Sequence, residues 1–197
     1  MKPLGASSSR PLDGGPSFPL TNRIERALWI AVWTLFGRIA PPPLGRAWRR
    51  TLLRLFGAKI GRACVIYPSA KIWLPRNLIM HSKATLGPGV HCYNMAPVDI
   101  GEGAIVSQRA FLCAGGHDIR DTHFQLVTRP IMIGAGSWIA AEAYVGPGVT
   151  IGARAVLAAR GCAIGDVAEG TVWGGNPAKQ IGVRPSPESL SADQSRD

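Results

Sequence analysis

Two hydrophobic patterns divide the chain near residue 58. Before that point, apolar residues recur at helical spacing and predict two short amphipathic helices, over about 21–38 and 44–56. Thr21 and Asn22 are candidate caps of the first helix, and Gly57 is a typical residue for the end of the second. From Ile60 onward the apolar positions follow a six-residue period, which neither an α-helix nor a single β-strand produces.

The six-residue period runs through fifteen repeats in three blocks, and a small residue commonly follows each apolar position four residues later. The apolar positions are Ile60, Ile66, Ile72, Leu78, Ala84 and Val90, then Ile100, Val106 and Leu112, then Ile133, Ile139, Val145, Ile151, Leu157 and Ala163. Such a period is typical of a solenoid of short parallel strands, in which every sixth side chain points inward. Because three repeats close one triangular turn, the sequence predicts an all-β solenoid of about five coils.

Two interruptions of the period predict loops. Four extra residues enter at 94–97, and about fifteen residues, 118–132, leave the solenoid after His117. A long loop in a compact domain is usually functional. We therefore expect a basic helical region at 22–57 and a solenoid domain at 58–182 with an excursion at 118–132, between disordered segments at 1–21 and 183–197.

The positive charge of the chain is concentrated in the helical region. The chain has 22 basic and 12 acidic residues, and residues 1–62 hold 11 of the basic ones but only two acids. Because Trp29, Trp33 and Trp48 are interleaved with these cations, the pattern favours a helix on a membrane surface over a nucleic-acid binder. The competing interpretation is a helical cap that buries the open end of the solenoid.

The composition of the chain excludes several classes of protein. The 24 glycines and 16 prolines among 197 residues argue against a helical bundle or a coiled coil. The four cysteines form no CxxC pair, so a zinc ribbon is excluded and a reducing cytoplasm is expected. The longest apolar stretch, 27–36, has ten residues and is too short to span a membrane.

Five segments of the chain resemble the hexapeptide-repeat acyltransferases, and with the period they cover about residues 60–182. They are GGHD at 115–118, RPIMIG at 129–134, GSWIAA at 136–141, VGPGVTIG at 145–152 and GGNPAK at 174–179. The basic N-terminus and residues 63–97 look closest to the colanic-acid-type exopolysaccharide acetyltransferases. The resemblance implies a left-handed parallel β-helix, a homotrimer with its active site between subunits, and metal-free transfer of an acetyl group from acetyl-CoA to a sugar hydroxyl.

The resemblance also implies the catalytic base. In this family the histidine at the position of His117 deprotonates the acceptor hydroxyl, which attacks the thioester without an acyl-enzyme. Histidine suits the role because its pKa lies near neutral pH. Asp118 or a backbone carbonyl would fix the tautomer of the His117 ring, and the sequence leaves both open.

Binding residues for coenzyme A follow from the same resemblance. The expected pantetheine contacts lie on two neighbouring coils and are Trp138, Ala141 and Ala159. Lys179 matches a basic position that meets a CoA phosphate. Ile164 and Gly165 stand where many relatives have a Thr-Lys pair, so one phosphate contact is missing and Arg160 is the expected substitute.

Residues that bind the acceptor are predicted in two loops. Tyr93 and Asn94 resemble the acceptor loop of sugar acetyltransferases, and Arg120 is a candidate in the excursion. Packing of the excursion against a neighbouring subunit is the competing interpretation. The expected partner is a sugar or a lipid-linked saccharide, met in the bacterial cytoplasm with region 22–57 against the inner face of the membrane.

Three other functions stay open. A small-molecule O-acetyltransferase acting on serine, a xenobiotic or a free sugar would use the same core chemistry. A zinc site like that of the γ-class carbonic anhydrases would draw on His81, His91, His117 and His123, whose spacing does not favour it. A non-enzymatic binding scaffold is the third.

Overall fold

Two helices precede a stack of short strands in the computed structural model, which describes residues 12, 16–38 and 44–185. Helix α1 spans Leu20–Val32 and continues as a π-helical turn, Trp33–Gly37, and helix α2 spans Leu44–Leu55. Thr21 and Asn22 are not caps, because α1 begins directly after Pro19 and both residues lie within its first turn. Most of the segments predicted to be disordered, 1–21 and 183–197, lies outside the described residues.

Parallel strands stack into three sheets, which form the three faces of the solenoid. The first face contains β1 (Lys59–Ile60), β4 (Leu78–Met80), β7 (Val98–Ile100), β12 (Ile131–Ile133) and β15 (Thr150–Ile151). The second contains β2 (Val65–Ile66), β5 (Thr85–Leu86), β8 (Ile105–Val106), β13 (Trp138–Ile139), β16 (Val156–Leu157) and β18 (Thr171–Gly174). The third contains β3 (Lys71–Ile72), β6 (His91–Tyr93), β9 (Phe111–Cys113), β14 (Tyr144–Val145) and β17 (Cys162–Ala163).

The chain completes the five predicted coils and begins a sixth. Val167 forms a bridge to Ile151 on the first face, and β18 adds a strand to the second face. The chain then turns back as β19 (Lys179–Val183), which pairs antiparallel with β18 and ends the sheet.

Inward side chains stack in rows along the solenoid. On the second face the row consists of Ile66, Leu86, Val106, Ile139 and Leu157, each at most 1% exposed. The corner before each of these strands holds a small buried residue: Cys64, Ala84, Ala104, Ser137 and Ala155. A larger side chain at such a corner would meet the tight turn, so the period of apolar and small positions has a packing origin.

The predicted register of the second coil is wrong by two residues. Met80, not Leu78, pairs with Ile60 and Ile100, and the inward positions that follow it are Leu86 and Cys92 instead of Ala84 and Val90. The four extra residues are therefore divided between two corners, with two in a 3-10 turn at Pro75–Asn77 and two at 94–97. The sequence misleads here because Leu78 is also buried, in a second row with Val98 and Ile131.

Part of the backbone carbonyls of each coil point toward the N-terminal end of the solenoid. They accept hydrogen bonds from amides of the preceding coil, as Met80 does from Gly61, Ala84 from Val65 and Leu86 from Tyr67. The equivalent carbonyls of the first coil therefore face outward with no strand to supply a donor. A buried carbonyl without a partner costs about 1–3 kcal/mol, so this end of the solenoid needs hydrogen-bond donors.

Helices α1 and α2 supply these donors from side chains that can only donate. Trp29 donates to the Ile72 carbonyl at 2.7 Å, and Trp33 donates to Ala70 at 3.0 Å. From α2, the arginines complete the set: Arg49 to Ile66 at 2.7 Å, Arg50 to Cys64 at 3.1 Å and Arg54 to Ile60 at 2.7 Å. The interpretation of the helical region as a cap is therefore confirmed for its inward face.

The outward face of the two helices remains exposed. Among the residues that the structure describes, none of the helices combines the length and hydropathy that a membrane crossing requires.

Replacing Arg49 with methionine tests the cap. Arg49 is 3% exposed and its Nε donates to the Ile66 carbonyl, so Arg49→Met leaves that carbonyl without its donor. We expect a loss of about 1–3 kcal/mol of stability, measured as a lower midpoint of thermal or urea unfolding. Arg46→Met, an exposed position of the same helix, is the matched control and should unfold like the wild type. Equal midpoints for the two variants would contradict the capping role.

Candidate active site

His117 lies on a hairpin that leaves the solenoid after the third face. Strand β10 (Gly115–His117) pairs antiparallel with β11 (Leu126–Thr128). The Asp118 amide donates to the Gln125 carbonyl at 2.8 Å and continues the pairing into the loop. The predicted excursion is thus a hairpin whose backbone hydrogen bonds hold His117 at a defined place.

The His117 ring is oriented by Phe124. Nδ1 of His117 lies 2.8 Å from the Phe124 carbonyl oxygen, and the two rings stack with centroids 4.5 Å apart and planes 5° apart. A carbonyl oxygen can only accept, so Nδ1 carries a proton and Nε2 of the neutral ring keeps its lone pair. Nε2 is therefore the nitrogen that can take a proton from a hydroxyl group.

Asp118 does not orient this ring. Its Oδ1 accepts a hydrogen bond from the Arg120 backbone amide at 2.9 Å and so shapes the loop. Of the two possibilities that the sequence leaves open, the structure selects the backbone carbonyl. The expectation that Asp118 belongs to the catalytic pair is corrected accordingly.

An open groove of about 470 Å³ lies beside His117. The hairpin forms part of its wall, and Pro147, at the corner between the third and first faces, forms another part. Arg120 and Arg129 line the groove together with one acid, Asp118, so its charge balance is positive. The predicted acceptor contact Arg120 therefore does lie beside the base.

The predicted pantetheine contacts lie at a different corner. Ala141 and Ala159 occupy equivalent turns from the second face into the third, on neighbouring coils, and the Arg160 amide donates to the Ala141 carbonyl at 2.9 Å. Ala141 is half-buried and Ala159 is exposed. Their small side chains leave the backbone of this edge accessible, as an extended ligand would require.

A charged cluster follows the same edge. Glu142 accepts a hydrogen bond from Nε of Arg160 at 2.7 Å and is also paired with Arg109 of the preceding coil. The hydrogen bonds from Arg160 and then from Arg109 hold the pKa of Glu142 below its usual value. With two arginines to one carboxylate, the edge has an excess of positive charge, which suits phosphate groups. Arg160, the predicted phosphate contact, is therefore exposed at this edge, and Glu142 holds its side chain.

Trp138 and Lys179 are both accessible. Trp138 is 46% exposed on the second face, and its Nε1 donates to Ser107 Oγ at 2.9 Å. Lys179 is exposed at the start of β19, where the chain turns back over the last coils. Neither residue is buried in the solenoid, so both can meet a ligand along its outer surface.

The two acceptor-loop residues have different environments. Tyr93 is half-buried on the third face, with its ring 5.8 Å from that of Trp73 and 6.3 Å from that of Phe111, and burial raises the pKa of its hydroxyl. Asn94 is fully buried. Its Oδ1 accepts from the Trp73 and Leu74 amides at 3.1 Å, and its Nδ2 donates to the Leu74 carbonyl at 2.7 Å.

Asn94 is therefore a structural residue of its corner. Both polar atoms of its side chain are used on the backbone of the preceding coil, where they hold the two widened corners together. Asn77 reinforces the same place by donating to the Asn94 and Met95 carbonyls at 3.1 and 2.9 Å. The expectation that Asn94 contacts an acceptor is corrected, because its amide has no exposed surface to offer.

One chain does not bring His117 and the pantetheine candidates together. His117 follows the carboxyl ends of the strands of the third face, whereas Ala141 and Ala159 precede the amino ends of strands β14 and β17 in the same face. The two groups therefore lie at opposite edges of the third face.

The histidines do not form a common site. His81, on the first face, pairs with Asp99 at 3.0 Å, and the ring of His91 stacks on Phe111 on the third face. Across 12, 16–38 and 44–185, no three side chains of the metal-ligating types come together.

Sequence reasoning missed Phe124 and Glu142. Phe124 acts through its carbonyl oxygen, which every residue has, so no sequence signal could have singled it out. Glu142 and Arg109 do have a signal, since both precede the small corner residue of their repeats and are therefore stacked neighbours.

Comparison with known proteins gives relatives that cover most of the chain. The WcaF protein of Escherichia coli K12, named as a colanic acid biosynthesis acetyltransferase, is 41% identical over 163 residues, which are 83% of this chain and 89% of that protein. A chloramphenicol acetyltransferase of E. coli is 45% identical over 60 residues, 30% of this chain and 29% of that protein. No family model matches the chain.

Solved structures share the fold. A maltose O-acetyltransferase from Clostridium difficile 630 superposes with a TM-score of 0.76 at 20% identity, covering 85% of this chain and 90% of that one. A hexapeptide-repeat acetyltransferase from Vibrio cholerae, VCA0836, in complex with acetyl-CoA, has a TM-score of 0.77 at 21% identity and covers 87% and 93%. The predicted left-handed parallel β-helix is confirmed.

The tautomer of His117 can be observed directly. Because Nδ1 donates to the Phe124 carbonyl, ¹⁵N-histidine NMR spectra of the neutral form should show the proton of the His117 ring on Nδ1. His81 is an internal control, since its Nε2 faces Asp99 and should carry a proton. The His117 signals should keep this pattern in Asp118→Asn. A proton on Nε2 of the neutral His117 ring would contradict the assigned orientation.

Proposed function

The chain belongs to the family of hexapeptide-repeat acetyltransferases that includes WcaF, and we propose that it transfers the acetyl group of acetyl-CoA to a hydroxyl of an exopolysaccharide precursor. The observation that carries this proposal is the orientation of the His117 ring. Its Nδ1 donates a hydrogen bond to the Phe124 carbonyl, so that the lone pair of Nε2 is available to accept a proton. An acyltransferase of this fold needs such a base, a place for pantetheine and a groove for the acceptor.

His117 is the general base in the proposed reaction. Nε2 accepts the proton of the acceptor hydroxyl while its oxygen attacks the thioester carbonyl carbon of acetyl-CoA. The imidazolium that forms is stabilised because its Nδ1–H group remains hydrogen-bonded to the Phe124 carbonyl oxygen. The C–S bond then breaks, and Nε2 returns the proton to the departing sulfur, so that an acetyl ester and CoA are the products.

Acetyl-CoA supplies the acetyl group as a thioester, and the edge between the second and third faces fits it. Ala141 and Ala159 leave room along the backbone, and Trp138 offers an exposed apolar surface nearby. Arg160 and Lys179 are the cations we assign to the CoA phosphates. Glu142 holds the Arg160 guanidinium on this edge and limits the number of side-chain conformations it can adopt.

A homotrimer would complete the site. His117 and the pantetheine edge lie on opposite edges of one face, so a second copy that packs beside the first can bring one edge against the other. In a closed threefold arrangement each of three interfaces then combines the base of one subunit with the pantetheine edge of its neighbour.

The acceptor assignment rests on a relative that covers most of the chain. WcaF is named for colanic acid biosynthesis, and the match covers 83% of this chain and 89% of that protein. Arg120 lies in the groove beside His117, and Tyr93 lies in an aromatic cluster on the third face, from which the His117 hairpin leaves. A hydroxyl-rich saccharide suits such a surface, because aromatic rings pack on its apolar sides and the cation binds its oxygens.

Replacing His117 tests the base. His117→Ala should lower kcat for acetyl transfer to a saccharide acceptor by about 10²–10⁴-fold while the affinity for acetyl-CoA stays that of the wild type. Transfer is measured by CoA release and the affinity by calorimetry. His81→Ala, which removes a histidine that does not line the groove and pairs with Asp99, is the control and should keep wild-type turnover. Wild-type turnover of His117→Ala would remove His117 from the mechanism.

A further inference from the structure

Helix α1 presents an apolar stripe to solvent. Four large exposed side chains follow each other at helical spacing: Leu20 (65%), Ile24 (59%), Leu28 (56%) and, within the π-helical turn that continues the helix, Leu35 (58%). At 3.6 residues per turn, the three positions within α1 lie on the side opposite Trp29, which faces the solenoid. Ala27 and Ala31, also exposed, fill the positions between them, so the outer face carries no charge along its length.

The fold does not need this stripe. The capping contacts of α1 come from Trp29 and Trp33 on its inner face, where both are buried. A surface helix whose only duty was to cap the solenoid would normally carry polar residues on the outer face. A contiguous exposed apolar surface of this kind indicates an interaction site.

The stripe lies at the end of the molecule, not on its sides. The side chains of α1 and α2 donate hydrogen bonds to the outward carbonyls of the first coil. This coil contributes the terminal strands β1, β2 and β3 to the three sheets. The outer face of the helices therefore points away from the stack of coils. Copies that pack side by side along the three faces would leave this end uncovered and would turn their stripes toward the same plane.

The same end of the molecule carries an excess of cations. Exposed basic residues of the helices and the first coil are Arg23, Arg38, Arg46, Arg54, Lys59, Arg62 and Lys71, of which Arg54 donates to the Ile60 carbonyl. Within the described part of residues 16–62 there is one acid, Glu25, and it is paired with Arg76 at 2.9 Å. Two copies that met through this end would bring like charges together, whereas an anionic surface would be attracted.

We propose that the outer face of α1 is a docking surface for an anionic lipid bilayer. The stripe of Leu20, Ile24, Leu28 and Leu35 enters the boundary between headgroups and acyl chains, and the exposed cations at the same end bind acidic headgroups. Since the helix is fixed to the solenoid by its inner face, binding orients the whole molecule with the first coil toward the membrane. This inference does not depend on the acetyl-transfer reaction.

Vesicle flotation tests the proposal with the full-length protein. We expect the wild type to float with vesicles of phosphatidylcholine and phosphatidylglycerol, and to float less as salt is raised or when phosphatidylglycerol is omitted. Ile24→Glu places a charge in the stripe at an exposed position, and should lower the partition coefficient about tenfold or more. Leu28→Ser is a second variant in the same stripe, and should lower it in the same direction.

Ile181→Glu is the matched control. Ile181 is 66% exposed in β19, at the opposite end of the solenoid, so its change should leave flotation at the wild-type level. All variants should keep the wild-type unfolding midpoint, because the substituted side chains are exposed. Recovery of the wild type in the soluble fraction with both kinds of vesicle would overturn the proposal. So would undiminished flotation of Ile24→Glu, or a smaller oligomer in that variant by light scattering, which would assign the stripe to a second copy.

Discussion

A parallel β-helix leaves backbone carbonyls of its first coil without a neighbouring strand to donate to them, and the N-terminal region of this chain is built around that constraint. Carbonyls of the first coil that would meet a preceding coil include those of Ile60, Cys64, Ile66, Ala70 and Ile72. Each receives a hydrogen bond from an arginine or a tryptophan of the helices. A carbonyl can only accept, and arginine and tryptophan are side chains that donate without accepting. Part of the concentrated positive charge of the N-terminal region thus has a structural cause.

The same constraint separates the two faces of the helical region. Sequence patterning suggested two roles for it, a cap or a membrane-surface element, without deciding between them. The structure assigns the tryptophans and three of the arginines to the cap, and leaves on the outer side a stripe whose side chains are each more than half exposed. The cations that we assign to membrane association are therefore the remaining exposed ones, not the arginines of α2 that bind the carbonyls of the first coil.

The six-residue period was enough to predict the solenoid, but not every register within it. The period specifies the fold because each sixth side chain must fill the same interior row. It fails between Ile72 and Ile100, where the first-face strands bury two residues each, as Leu78 and Met80 do. In the active site, a histidine beside a long excursion could be singled out from the sequence. The carbonyl that orients it and the interior position of Asn94 depend on how the hairpin and the corners fold.

The central claim is that each active site joins His117 of one subunit to the Ala141 edge of another. Two inactive variants, His117→Ala and Ala141→Trp, can be co-expressed with different tags, and trimers that contain both can be purified through both tags. In every such trimer one interface of three has an intact base facing an intact edge, so the account predicts about one third of wild-type acetyl transfer. Activity no higher than that of the separate variants, in trimers shown by mass to be mixed, would contradict it.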